Sequence, residues 1–313
     1  MQNNPQVSVV MGVYNGANSL PRTIESILNQ ENVDFEFIVV NDGSKDDTGK
    51  ILEAYAQQDS RMRVIHQENT GLTKALICGC AEAKGEFIAR QDVGDISYPN
   101  RLALQLEELV QRTQAVFVSC GTRYVDPDYE ILYEVRISEE ELNEGLHPKS
   151  LENIKGPSHH GSVMFRRNFY HIVGGYRAEY KVAQDIDLWI RMAEKGKCLS
   201  IPDILYEAVI DPKSISSNKR KQQILAAQSS IDTAILRANN MSESSTLISL
   251  EQKLKQFAAK QMIPSFVSES NAWYFIGASA LKYSKQRARK YWLKSLRCFP
   301  LHVKSWIRLL TNY

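Results

Sequence analysis

Five short strand-like runs set the rhythm of the first 120 residues: Val7–Met11, Phe35–Val40, Arg63–His66, Phe87–Ala89 and Val116–Ser119. Between them the apolar residues recur at helical spacing, as Leu20, Ile24, Ile27 and Leu28; Ile51, Leu52 and Tyr55; Leu72, Ala75, Leu76 and Gly79; and Leu102, Leu106 and Leu109. A run that is apolar at every position is a strand covered on both faces, and a helix placed between two such strands makes a crossover. Strand and helix alternating at this pitch admit few architectures. The expectation is an α/β fold around a mainly parallel, doubly wound sheet. Ser19 with Pro21 marks the start of the first helix, and Ser44-Lys45-Asp46-Asp47 reads as a capping box, with Asp for the usual Glu, for the second.

After Cys120 the regularity fades. One short strand is expected around Tyr129–Val135, an apolar strand behind the histidine pair in His159–Phe165, a turn at Gly174-Gly175-Tyr176, and a helix beginning at Asp185. Lys213–Gln223 is polar, a helix follows from Ile224 to Leu236, and Asn239–Ser245 has the composition of a linker. Trp273, Ile276, Gly277, Ala280 and Tyr283, then Ala288, Trp292, Leu296 and Pro300, follow the tetratricopeptide pattern roughly. One such unit cannot form a solenoid, so a helical hairpin packed on the main domain is expected over about 270–313.

At 313 residues the chain can bury a proper core. It has no apolar run of about 18 residues and no basic-then-apolar leader, so the expected compartment is the cytosol. Five cysteines without paired spacing argue for free thiols rather than a disulfide framework or zinc site. Residues 272–313 carry nine Lys or Arg and no Asp or Glu, leaving 29 basic against 36 acidic residues before them, a net of −7. Interleaved with Trp273, Tyr283, Tyr291, Trp292 and Trp306, these cations suit either the solvated face of a hairpin or a surface resting on an anionic leaflet at the cytoplasmic side. No recognition motif accompanies the charge, so nucleic acid is not the expected partner.

Ligands of open α/β sheets collect at the carboxyl ends of strands, and acids cluster there. Asp42, before Gly43-Ser44, could accept hydrogen bonds from a nucleotide or form an Asx turn. Asp92 and Asp95, at the end of the fourth strand, could hold Mg²⁺ or Mn²⁺ against a diphosphate, or belong to a polar turn in which Asp95 caps the helix that Pro99 begins. Asp185 and Asp187 could supply a general base or serve only the helix dipole. His159 and His160 are adjacent, which is poor metal spacing, and one packed and one exposed ring is expected. Trp189 and Met192 read as core. There is neither a GxGxxG after the first strand nor a GxxxxGK[ST].

In order along the chain, Val9–Asn15, Val39–Ser44 with Asp47-Thr48, Asn69–Leu72, Arg90–Ser97 with Pro99 and Arg101, His160–Arg166, Gly174-Gly175-Tyr176 and Gln184–Trp189 resemble the family 2 glycosyltransferases, which have the GT-A fold. The resemblance covers Val7 to about Ser216. It implies a GT-A domain over 1–216, a helical region over 217–313, and inverting transfer from a nucleotide-diphosphate sugar, usually a uridine one, to a saccharide or lipid-linked hydroxyl acceptor. On it, Val13, Tyr14 and Asn15 line the nucleotide pocket, Asp42 contacts the base, and Asp92 serves ribose and metal. Asp185 is the general base; His160, Asp187 and Trp189 fall on the acceptor or donor-sugar side.

Three positions depart from the family pattern. Gly94 stands where the middle acid of Asp-Ala-Asp-Asp is commonly the direct metal ligand, Gln184 replaces a frequent Glu, and Asp211 stands where many relatives carry a metal-binding His. Asp92, Asp95 and Asp211 are therefore the expected metal ligands. Gly94 also admits a different class, a nucleotide-sugar-binding scaffold without catalysis. A nucleotidyltransferase is the weaker third reading, since no Gly-rich loop with a basic residue awaits a triphosphate.

Overall fold

The computed structural model describes residues 4–212, 219–260 and 264–311. The alternation is realised as β1 (Val7–Val13), α1 (Leu20–Leu28), β2 (Phe35–Asp42), α2 (Thr48–Gln58), β3 (Met62–Gln67), α3 (Leu72–Ala81) and β4 (Phe87–Arg90). These strands pair in parallel in the order β3-β2-β1-β4. Successive residues of a strand point to opposite faces. Val9, Met11 and Phe37 accordingly enter one core with Ile24, Ile27 and Leu102, while Val10 and Ile38 enter a second with Leu76, Phe165 and Trp189.

Beyond β4 the sheet becomes mixed. The elements are β5 (Ile96–Ser97), α4 (Arg101–Gln111), β6 (Ala115–Val125), β7 (Ile131–Val135), α5 (Glu139–Gly145), β8 (Met164–Arg166), α6 (Arg167–Ile172), α7 (Gln184–Ala193) and β9 (Lys197–Val209). β8 inserts antiparallel between β4 and β6, β9 runs parallel to β6, and β5 and β7 pair antiparallel with β9 and β6. The parallel expectation thus holds for the first four strands. β9 was not expected because Pro202-Asp203 interrupts its apolar pattern; the ladder absorbs the break by shifting register around Gly121, where a Cβ would sit 2.9 Å from the Asp203 carbonyl oxygen.

Local details correct two expectations. Ser44 does not cap α2: its hydroxyl accepts the Asn15 N–H, and the Asp46 carboxylate accepts the Thr48 N–H instead. A true capping box occurs at Ser138–Glu141, opening α5. The strand behind the histidines is confined to β8, because His160–Ser162 form a 3₁₀ turn.

The C-terminal region continues as α8 (Arg220–Ala238), α9 (Ser244–Lys260), α10 (Ser265–Ala280), α11 (Lys285–Cys298) and α12 (Val303–Leu310). The division expected at 216/217 and Lys213–Ser214 lie outside the described residues. Asn239–Ser245 is a tight connection rather than a loose linker, since its Glu243 is gripped by Arg177 and Arg237 at 2.6 and 2.7 Å. α10 and α11 pack on β7 through Leu132, Ile276, Ala280 and Tyr291. Tyr291 and Trp292, read as part of an exposed aromatic surface, are buried. All five cysteines are free thiols.

Candidate active site

The parallel strands β1, β2 and β4 deliver their carboxyl ends side by side, and the loops beyond them are stitched together. Asn15, in the left-handed region at φ 52°, donates its N–H to Ser44 Oγ at 2.9 Å and accepts the Lys45 N–H on Oδ1 at 2.8 Å. Thr48 Oγ1 accepts the Gly16 N–H at 2.9 Å. Val13 is buried at the end of β1, and Tyr14 next to it is 46% exposed. Asp42 forms no Asx turn. Its carboxylate, 3% exposed, accepts Gln67 Nε2 at 2.7 Å and the backbone N–H groups of Thr70 and Gly71 at 2.9 and 2.8 Å. It therefore folds the turn that opens α3, and Thr70–Lys74 form one wall of the neighbouring cleft.

That cleft, of about 1010 Å³, is lined by Asp92, Tyr124, His159, His160 and Asp185, together with residues of the 151–158 segment and the first turns of α8. Asp92 and Asp95 meet in a turn shaped by Gly94, which has φ 96° and donates its N–H to Thr23 Oγ1. Asp95 does not cap a helix; it accepts Tyr206 Oη at 2.9 Å and the Val209 N–H at 3.1 Å. Burial and the adjacent Asp92 carboxylate raise its pKa well above the usual range. Asp92 is also desolvated, but Arg90, with lesser help from His160, His159 and Arg101, outweighs the burial and holds its pKa low.

His159 Nδ1 lies 3.9 Å from Asp92 and 3.7 Å from Asp95, and accepts the Gly161 N–H at 3.0 Å. Burial lowers its pKa, and because the Nδ1 lone pair nearest the carboxylates is taken by the Gly161 N–H, a cation held here would have to displace that bond. Among the described residues, Asp92, Asp95 and His159 are the group that brings three ligating atoms within 4.8 Å of one another. Two carboxylates and an imidazole suit a hard divalent cation, and such a charge would offset the carboxylate crowding that raises the Asp95 pKa. Asp211, expected among the ligands, is exposed beyond the end of β9 and outside this group.

Both histidines are half-buried, so the expectation of one packed and one exposed ring fails. His160 Nε2 meets Tyr176 Oη at 2.7 Å and Arg90 Nε at 3.4 Å, and burial, reinforced by Arg90, pushes its pKa down to about 3.

α7 begins after Ala183, which holds the left-handed conformation at φ 52°. Asp185, its second residue, faces the cleft. Burial raises its pKa, partly opposed by the N–H groups of the helix start, and Asp92 adds to the rise. Two residues further along a helix is about 200° around it, so Asp187 faces away. Asp187 is 1% exposed and bound by Arg191 Nε at 3.0 Å. Trp189 is buried among Phe117, Phe165 and the outer edge of His160. Neither Asp187 nor Trp189, expected on the acceptor or donor-sugar side, lines the cleft.

Three residues were given no role by sequence. Arg90 and Arg101 are fully buried: Arg90 donates to the Val10 carbonyl and to Asp92 Oδ1 at 2.8 Å, and Arg101 donates to the carbonyls of Gly161 and Arg90 at 2.5 and 2.9 Å. Tyr206 lies on β9, its hydroxyl packed so closely under Gly161 that a Cβ there would sit 2.0 Å away. A basic residue leaving an apolar strand beside an acid was the available signal for Arg90; Tyr206 offered none without β9.

The sequence over residues 8–173 matches the family described as glycosyl transferase family 2. EpsE of Bacillus subtilis (strain 168), itself assigned to the glycosyltransferases, is 33% identical over 241 residues, 75% of this chain and 82% of that one. Among solved structures, S. aureus TarS 1–349 in complex with UDP-GlcNAc superposes with a TM-score of 0.60 at 18% identity, covering 94% of this chain and 89% of that one. Mannosyltransferase PcManGT from Pyrobaculum calidifontis, in complex with GDP-Man and Mn²⁺, gives 0.57 at 17% identity, covering 99% and 88%.

Proposed function

The chain belongs to glycosyl transferase family 2 and has the GT-A fold, and we propose that it moves a sugar with inversion from a uridine-diphosphate donor to a hydroxyl of a saccharide or lipid-linked acceptor during synthesis of a cell-surface glycan. The observation that carries this reading is one cleft lined by both Asp185 and the Asp92–His159 group. The acceptor hydroxyl gives its proton to Asp185 as its oxygen bonds the anomeric carbon, and the bond from that carbon to the diphosphate oxygen breaks with its electron pair leaving on the diphosphate. A raised pKa makes Asp185 a stronger base than an ordinary aspartate once it is ionised. Buried Arg90 fixes Asp92 on the departing-charge side, where preorganised positive charge stabilises the leaving group.

Val13, Tyr14, Asn15 and Asp42 form the nucleotide end, with the exposed Tyr14 ring available to the base and Asp42 shaping the pocket through the Thr70–Gly71 turn. Asp92, Asp95 and His159 would hold Mg²⁺ or Mn²⁺, whose charge would neutralise the diphosphate. UDP-GlcNAc in TarS supports a uridine donor, and Mn²⁺ in PcManGT supports the metal. His159 beside Asp92 and Asp95 would offer a third donor despite Gly94, which weakens the main motive for a non-catalytic scaffold.

The test is release of nucleoside diphosphate from a panel of UDP- and GDP-sugars, with Mn²⁺ and with EDTA. Turnover of a UDP-sugar that EDTA abolishes is expected. Calorimetric binding of UDP without turnover of any donor would refute the enzymatic reading, and turnover insensitive to EDTA would refute the metal.

A further inference from the structure

The last described helix turns its apolar stripe to solvent. Val303, Trp306, Ile307 and Leu310 recur at i, i+3, i+4 and i+7, which places them on one face of α12, and they are 47% to 78% exposed, as is Leu301 just before them. The inward face carries Ser305 and the half-buried Leu309. Ser305 is fully buried, with its hydroxyl 2.8 Å from Ser295 Oγ and 2.9 Å from His302 Nδ1. A helix seated on serine with leucine, isoleucine and tryptophan outside inverts the usual order of a water-facing helix, and exposed apolar surface of this kind marks an interaction site.

Charge identifies the occupant. Lys304 flanks the stripe on the same helix and Arg308, one turn on, lies between that flank and the inward face, within the 272–313 segment of nine cations and no acids. Arg287 and Lys290 of α11 are committed to Asp126 and Asp128 of the sheet domain, whereas among the described residues no ion pair joins α12 to that domain. We propose that α12 seats the protein on an anionic lipid surface, with its stripe at the acyl boundary and Lys304 and Arg308 among the headgroups. A second copy of the chain is a poorer occupant, because a two-fold contact through this face would set these cations against their own counterparts. The proposal stands apart from the choice of donor and acceptor. No helix among the described residues is long and apolar enough to cross a membrane, so surface seating is the membrane contact this helix can make.

Co-sedimentation of the full chain with phosphatidylcholine vesicles, and with vesicles containing phosphatidylglycerol, tests it. Salt-sensitive binding to the anionic vesicles alone is expected. Lys304→Ala with Arg308→Ala weakens binding about fivefold per cation, Ile307→Asp with Leu310→Asp abolishes it, and both pairs keep the wild-type melting temperature and donor hydrolysis. Trp306→Phe removes the blue shift of tryptophan emission on vesicle addition. Equal binding to both vesicle types, no binding, or retained binding by the Ile307→Asp, Leu310→Asp protein overturns the proposal. So does a wild-type dimer that the same pair dissociates without any vesicle binding, which would make the face a contact between copies.

Discussion

A carboxylate acts as a general base only while it is ionised, and it acts well only where water does not already satisfy it. Asp185 meets the second condition through burial, which raises its pKa from 3.8. The sign is fixed: protonation silences a base, so turnover falls as pH drops through this raised pKa, and the acid limb of the kcat profile lies above that of an ordinary aspartate. Asp185→Asn is expected to lower kcat by about 10² to 10⁴ while calorimetric UDP binding stays unchanged. His159→Ala should weaken Mn²⁺ activation of hydrolysis at least tenfold, roughly the loss seen when even outer partners of a metal ligand are removed. Restoring the family acid by Gly94→Asp should not tighten Mn²⁺, because φ 96° strains any residue with a Cβ by about 1–2 kcal/mol and the change is felt in thermal stability first. At this scale the sequence exposed the acids, since carboxylates at strand ends announce themselves. It concealed His159, whose partnership with Asp92 and Asp95 arises from a 3₁₀ turn between β6 and β8 and not from spacing along the chain.

Helix α7 holds two aspartates of opposite duty. Asp185 faces the cleft, while Asp187 pairs with Arg191 one turn further along the same helix, and its second oxygen sits 3.5 Å from Arg177, which continues to Glu243 and Arg237 in the C-terminal region. Asp187→Asn leaves Arg191 buried without its countercharge and should cost about 3–5 kcal/mol in chemical denaturation. Since the same helix carries Asp185, kcat should fall with little change in the donor KM; a proportional rise in KM would instead place Asp187 in donor binding. The helix itself was legible from its periodicity and acidic first turn, and so were β1 to β4, whose β-branched and apolar runs recur between helical segments. β9 was not legible. Pro202 and Asp203 look like a turn in one dimension, and only pairing against the Gly121 region of β6 shows the strand passing through them, carrying Tyr206 beneath Gly161 and against Asp95.

On the scale of the whole molecule, the C-terminal helices are docked by charge as well as by apolar contact. Asp126 is fully buried at the end of β6: its Oδ1 accepts the N–H groups of Asp128 and Glu130, and its Oδ2 accepts Arg287 of α11 at 2.7 Å. Composition revealed the basic tail but not this division of labour, because which cations turn inward depends on the acids of a β6–β7 hairpin more than 150 residues earlier. Removing Arg287 leaves a buried carboxylate with backbone donors but no countercharge, whereas removing Lys290 breaks a pair that is about half exposed and screened by water. Arg287→Met keeps the apolar stem of the side chain, so the loss can be assigned to charge; it should weaken docking by about 3 kcal/mol and expose α10 and α11 to limited proteolysis, while β1 to β4 remain protected. Lys290→Ala should be cleaved at nearly the wild-type rate. Equal protection of the two variants would mean that Leu132, Ile276, Ala280 and Tyr291 hold the helices without help from Asp126, and that the buried pair sets their orientation alone.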